Sequence, residues 1–216
     1  MLAVNAVYVA HYNKLTKRKE HLLGQLEKNN IECQWFEQEP NDQDIENYYD
    51  STKKSWETKN SKVGYSEYVP HKILNRAEKS LIHKHIKIYK DIVNNEIPHS
   101  LILEDDVIFC DNFVEKFNFN IYNTPRDWDF IFIGSGCNLR IDKNKIVNEK
   151  PAYLKEHPAS KCTDSYVVKN ESIKKLLPTL KKYSFPIDFE LNYQMALHDM
   201  KVYWWEPPII YQGSQC

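Results

Sequence analysis

Three consecutive carboxylates, Glu104, Asp105 and Asp106, follow directly on the apolar run Leu101-Ile102-Leu103, and hydrophobic residues resume at Val107, Ile108 and Phe109. At separations of roughly 4–6 Å and an effective dielectric of about 20, each pair of such charges costs on the order of 3–4 kcal/mol, so the group calls for a cationic partner. A hard divalent cation, Mn²⁺ or Mg²⁺, meets that need, because such ions prefer oxygen ligands and bridge to the phosphates of a substrate. Alternation along an extended chain aims Glu104 and Asp106 one way and Asp105 the other. Asp106 is therefore read as the principal metal ligand and Glu104 as a helper, acting through water or on a ribose. Asp105 becomes a contact to a nucleotide or to the residues around the metal. The competing reading is a solvated acidic turn capping the next helix.

The elements that must position these acids are legible in outline. A short apolar run with an abrupt acidic end suits a buried strand reaching the carboxyl edge of a sheet, where open α/β folds bind ligands. Val4 to Val9 reads as an earlier strand. The basic cluster Lys14, Lys17, Arg18 and Lys19 follows it, then Leu15, Leu22, Leu23 and Leu26 at helical spacing, with Thr16 as N-cap. Strand, basic turn and helix start form an anion-binding corner suited to a diphosphate; a solvated basic face is the alternative. There is no glycine-rich phosphate loop.

Residues 29–40 hold a second strand. The polar stretch that follows is predicted to contain a short helix at Ile45 to Tyr49 and a mobile loop around Lys53 to Gly64, the loop as a whole covering about residues 50–68. A helical stripe runs from His71 to Val93. His83 and His85, two apart, point different ways and cannot share a metal, whereas Glu78 and His85 lie two turns apart on one stripe and can face one site. A buried, hydrogen-bonded histidine is the other reading of His85. Further strands are expected at Asp129 to Ile133, Ser165 to Val168 and Lys201 to Trp204, with helices near Phe113 and Phe117, over Glu171 to Leu177, and from Phe185 to Leu197. Gly134-Ser135-Gly136 lets a ligand or a crossing strand approach the backbone.

The chain has 216 residues, enough for one α/β domain with a substantial core, and no linker divides it. With 29 basic and 30 acidic residues, the formal net charge of -1 gives no reason to expect nucleic acid as a partner. Five widely spaced cysteines, odd in number and without a C-x-x-C pair, favour a reducing compartment, and a cytoplasmic location is the expectation. No segment has the eighteen or so apolar residues of a transmembrane helix. Oligomeric state is not legible.

In order along the chain, several stretches resemble the family 25 glycosyltransferases, the group containing lipooligosaccharide galactosyltransferases and procollagen galactosyltransferases. They are Val7-Tyr8-Val9 with the basic run to Arg18, Glu78 and His85 on the helix before the acids, and Leu101 to Val107, the closest match. Asp127 to Gly134, Thr163 to Leu177, Pro186-Ile187-Asp188 and Pro207 to Ser214 follow. Lys84 stands where that family has a serine, and Leu81 where it often has a cysteine.

The resemblance implies a GT-A fold, a single Rossmann-like α/β domain with a mixed sheet flanked by helices. It implies a metal-dependent, inverting transfer of a sugar, galactose or glucose, from a UDP-sugar to a glycan or protein hydroxyl. Arg18, Glu78, His85, Glu104, Asp105 and Gln212 would contact the nucleotide-sugar, and Asp106 with Glu104 the Mn²⁺ or Mg²⁺. Asp188, where a helix opens, would be the base that deprotonates the acceptor, with Glu190 as its alternate; the bland reading of Asp188 is a helix cap. Many GT-A enzymes place a late histidine on the metal; the tail here offers Gln212 and no histidine follows His198, which leaves the third protein ligand open. A metal-dependent phosphohydrolase and a catalytically silent carbohydrate-binding protein of the same fold are the competing functions.

Overall fold

A computed structural model describes residues 1–63, 73–155, 157 and 159–215. In chain order the strands are β1 (Ala6–Ala10), β2 (Gln34–Phe36), β3 (His99–Glu104), β4 (Val107–Phe109), β5 (Phe130–Phe132), β6 (Ala152–Leu154), β7 (Ser165–Lys169), β8 (Val202–Trp205) and β9 (Ile210–Gln212). The helices are α1 (Thr16–Lys28), α2 (Asp42–Tyr48), α3 (Lys53–Val63), α4 (Arg76–Asn94), α5 (Phe113–Asn123), α6 (Asn170–Leu176) and α7 (Ile187–Leu197). Seven strands form one mixed sheet in the order β2-β1-β3-β7-β5-β8-β6, and β4 pairs with β9 in a separate antiparallel ribbon. Among the described residues no helix is long and apolar enough to cross a membrane.

Side chains alternate across the central strands, and both faces are covered, which is why these strands read as unbroken apolar runs. Tyr8, Ile102, Phe130, Phe132 and Tyr166 face α4, α6 and α7. Val7, Val9, Leu101, Leu103, Ile131 and Val167 face Leu22 and Leu26 of α1 and Phe113 and Phe117 of α5.

Three expectations are corrected. The segment 53–63 is a helix rather than a mobile loop, because it carries its own anchors: Trp56 is buried, Ser55 hydrogen-bonds Ser184 at 2.8 Å, and Lys59 reaches into α7. The rest of the predicted loop, 64–68, lies outside the described residues, as do His71 and Lys72 of the predicted helix. That helix begins at Arg76, where Asn75 and Glu78 form a reciprocal capping box. Thr16 opens α1 as its first residue, and Leu15 occupies the cap without a side-chain bond.

Candidate functional site

Register brings the acids together. β1 and β3 run parallel with Ala10 opposite Glu104, so the next residues, His11 and Asp105, meet just beyond the sheet edge. β7 runs antiparallel to β3 with Ser165 opposite Leu103, so Asp164, which precedes β7, lands beside Glu104. The Glu104 amide donates to the Asp164 carbonyl at 2.9 Å. β5 pairs with β7 in turn, and two residues beyond it comes Gly134, where a Cβ would lie 1.9 Å from Asp164 Oδ2. Glycine is therefore required there for Asp164 to occupy the edge.

The chain turns at Asp105 and Asp106 instead of continuing extended. Asp105 is fully engaged: its Oδ2 bonds His11 Nδ1 at 2.8 Å and accepts from the Tyr12 amide at 3.2 Å, and its Oδ1 accepts from Arg18 at 3.0 Å. Asp106 is different. Arg18 approaches its Oδ2 at 3.7 Å, while Oδ1 is buried without a hydrogen-bond partner. The ribbon of β4 and β9 places Gln212 opposite Val107, and the Gly213 amide donates to the Asp106 carbonyl at 2.6 Å. Gln25 of α1 fastens this ribbon by bonding both Val107 O and the Phe109 amide.

Behind Asp106, Glu104 accepts from Thr163 Oγ1 at 2.6 Å. Burial, then the charges of Asp106, Asp164 and Asp188, push its carboxyl up to about 8 despite that bond. Asp164 is wholly buried, accepts from Ser165 Oγ and leaves Oδ1 without a partner. Burial and the Asp106 charge push it up to about 7. Asp188, in the first turn of α7, accepts from the Phe189 amide at 3.0 Å. Burial, opposed by two backbone hydrogen bonds and aided by the Glu78 charge, raises its carboxyl. Asp106, Asp164 and Asp188 are thus close enough to raise the Glu104 carboxyl, and Asp106 close enough to raise that of Asp164.

The raised Glu104 carboxyl has a stability consequence. Its folded value of about 8 exceeds the ordinary 4.5, so between those values the folded protein holds a proton that the unfolded chain has lost. Stability contributed in this way is complete below the lower value and is lost as pH rises through the upper one. Relative to Glu104→Gln, the wild type is expected to lose thermal stability between about pH 5 and about pH 8. Melting curves of both proteins at the two pH values check this, and an unchanged difference would refute it.

Two cavities flank the acids. One of about 410 Å³ lies between the end of β1 and α4, lined by the apolar parts of Tyr12, Leu15 and Leu81 and by Arg18, Glu104 and Asp105. It falls in the size range of small-ligand pockets. The other, about 310 Å³, lies between α1 and the tail and presents Lys17, Arg18 and His21 opposite Asp106 and Gly213.

Some expected residues sit elsewhere. His85 is buried in the core and lines neither cavity; its Nδ1 bonds Tyr166 Oη at 2.7 Å, and its ring stacks on that of Tyr166. Desolvation drives its imidazolium down to about 3, so it is neutral at any physiological pH. Glu78 caps α4 near Asp188. Glu190 is removed from the site altogether: it is wholly buried, holds Lys59 Nζ at 2.6 and 2.7 Å, and accepts from the Ser184 amide and Gln194. Removing one partner of such a buried pair costs about 3–5 kcal/mol. Glu190→Ala and Lys59→Met are each expected to lose that much in urea denaturation; a Glu190→Ala protein as stable as wild type but inactive would restore Glu190 to the chemistry.

Two residues at the site escaped the sequence reading. Asp164 is a single acid before the apolar run Tyr166-Val167-Val168, and only the antiparallel direction of β7 sets it beside Glu104. His11 follows the apolar end of β1, the same pattern as the acids after β3.

Among the described residues, no three His, Cys, Asp or Glu side chains converge as a metal site of protein ligands alone. The donor set instead offers the unpartnered, buried Asp106 Oδ1 amid mutually repelling carboxylates, next to a cationic corner. That arrangement fits a hard cation taking one or two carboxylates from the protein and its other ligands from substrate phosphates and water.

The mixed seven-stranded sheet, flanked by helices and carrying acids at the carboxyl edge of β3, is an architecture of the GT-A type. Residues 4–191 match glycosyltransferase family 25, described as LPS biosynthesis protein, and the chain belongs to that family. Over 117 residues, 53% of this chain, it is 28% identical to human procollagen galactosyltransferase 2. The match covers 18% of that relative's length.

Proposed function

We propose that this chain is a metal-dependent, inverting glycosyltransferase that moves a hexose, galactose or glucose, from a UDP-sugar to a hydroxyl of a glycan or protein acceptor. Membership of family 25 supports the class. The observation that carries the site assignment is the buried Asp106 Oδ1, unpartnered beside Arg18, in a residue that lines the smaller, cationic cavity.

In this reading the 410 Å³ cavity takes the nucleoside, with Tyr12 and Leu81 against the base, and the cationic corner takes the diphosphate. Asp105, fixed by His11, aims the Arg18 guanidinium at that corner. A Mn²⁺ or Mg²⁺ held by Asp106, with Glu104 behind it and Gln212 alongside, would neutralise the departing diphosphate. Asp188 accepts the proton of the acceptor hydroxyl; its raised carboxyl makes it a stronger base than an ordinary aspartate. Glu104 and Asp164 hold protons until compensating charge arrives, so donor binding strengthens as pH rises through about 7 to 8.

Calorimetric titration with UDP tests the assignment. Binding is expected only when Mn²⁺ or Mg²⁺ is present. Equal binding with EDTA would remove the cation from the reading, and no binding under either condition would remove the nucleotide.

A further inference from the structure

Two cysteines that take no part in the proposed transfer face each other beside Gly136 and Asp164. Cys137 lies in the short 3-10 turn after β5, and Cys162 lies in the segment that leads to Asp164 and β7. Their sulfur atoms are 3.3 Å apart, and no disulfide joins them. Both residues have left-handed backbone, with φ of 50° at Cys137 and 58° at Cys162. Non-glycine residues seldom adopt that conformation, and it persists where surrounding structure imposes it. Gly136 makes the approach possible, since a Cβ there would lie 2.4 Å from Cys162 Cβ. The two loops are thus packed so that the thiols meet.

We propose that Cys137 and Cys162 form a reversible thiol–disulfide modification site whose reagent is a low-molecular-weight disulfide of the glutathione class. Cys137 is exposed and Cys162 half-buried, so the reagent meets Cys137 first. The Cys137 thiolate attacks one sulfur of glutathione disulfide, forming a mixed disulfide and expelling one glutathione thiolate. The Cys162 thiolate then attacks Cys137 Sγ and expels the second. The protein gives up two thiol protons and two electrons, and the reagent becomes two molecules of glutathione. Cys162, half-buried with its sulfur 3.3 Å from that of Cys137, serves as the resolving residue once Cys137 is capped. Ring closure requires the sulfurs to approach by only about 1.3 Å to reach bonding distance.

The bond would tie the turn after β5 to the segment that carries Asp164 into β7. A Cβ at Gly136 would already approach Asp164 Oδ1 to 3.0 Å, so this crosslink staples the wall that holds the carboxylate. It spans 25 residues of sequence, and the oxidised protein is expected to melt higher because the unfolded chain is constrained.

The experiment equilibrates the full chain in buffers of graded glutathione to glutathione disulfide ratio, quenches with iodoacetamide and digests for mass spectrometry. Its readouts do not depend on the transferase reading. The expected result is a peptide linking Cys137 to Cys162, with two fewer alkylated thiols than the five in the sequence, reversed by excess glutathione. Cys137→Ser and Cys162→Ser should each abolish the crosslink. Full alkylation of both cysteines under the most oxidising buffer, a Cys137 adduct that never closes, or crosslinks to other cysteines would each overturn the proposal.

Discussion

Asp106→Ala is expected to abolish cation-dependent UDP binding while leaving the unliganded protein at least as stable as wild type. The two halves of this result have one cause. Asp106 contributes a negative charge that helps push Glu104 up to about 8 and Asp164 up to about 7. Its own Oδ1 receives no hydrogen bond in return. Truncating it relieves repulsion and leaves no buried donor orphaned, so the usual penalty for deleting a buried polar group does not apply. The ligand, however, loses the unpartnered Asp106 Oδ1 that would face the cation. Thermal shift with UDP and Mn²⁺ measures both quantities. A mutant that unfolds without ligand would show Asp106 to be structural, and a mutant with an undiminished shift would show that the cation binds elsewhere.

Asp188→Asn should have the second large effect, a fall of roughly 10²–10⁴ in transfer with UDP affinity nearly unchanged, the range expected for loss of a general base. Asparagine preserves the shape and can still accept from the Phe189 amide, the bond that Asp188 makes at the start of α7. If Asp188 were only a helix cap, the substitution would leave both activity and stability close to wild type. Comparing kcat with donor Kd separates the two roles. Full activity in the mutant would remove Asp188 as the base.

How much was legible in the sequence follows from what each residue depends on. The strand ending at Glu104 announces itself because apolar residues stop at charges; β1, β5 and β7 are marked by apolar runs as well, that of β5 ending at Gly134-Ser135-Gly136. The acids after β3 were readable for that reason. Asp164 was not, since its place depends on β7 running antiparallel, and strand direction leaves no mark in Tyr166-Val167-Val168. Helix α3 was missed because its fixed points are a lone Trp56 and the Lys59–Glu190 pair, a contact across 131 residues that no local pattern carries. That same pair removes Glu190 from the site: a carboxylate two residues from Asp188 on a helix points elsewhere, and here it points into the core. The β4–β9 ribbon was likewise unseen, being two three-residue strands far apart in sequence.

The most direct measurement of the central claim is nucleotide release from a panel of UDP-, GDP- and CMP-sugars with Mn²⁺, since a transferase lacking its acceptor leaks donor to water. The proposed function predicts UDP release from a UDP-hexose that is lost with EDTA and in Asp106→Ala. Silence across the panel, with no thermal shift from any nucleotide, would contradict it.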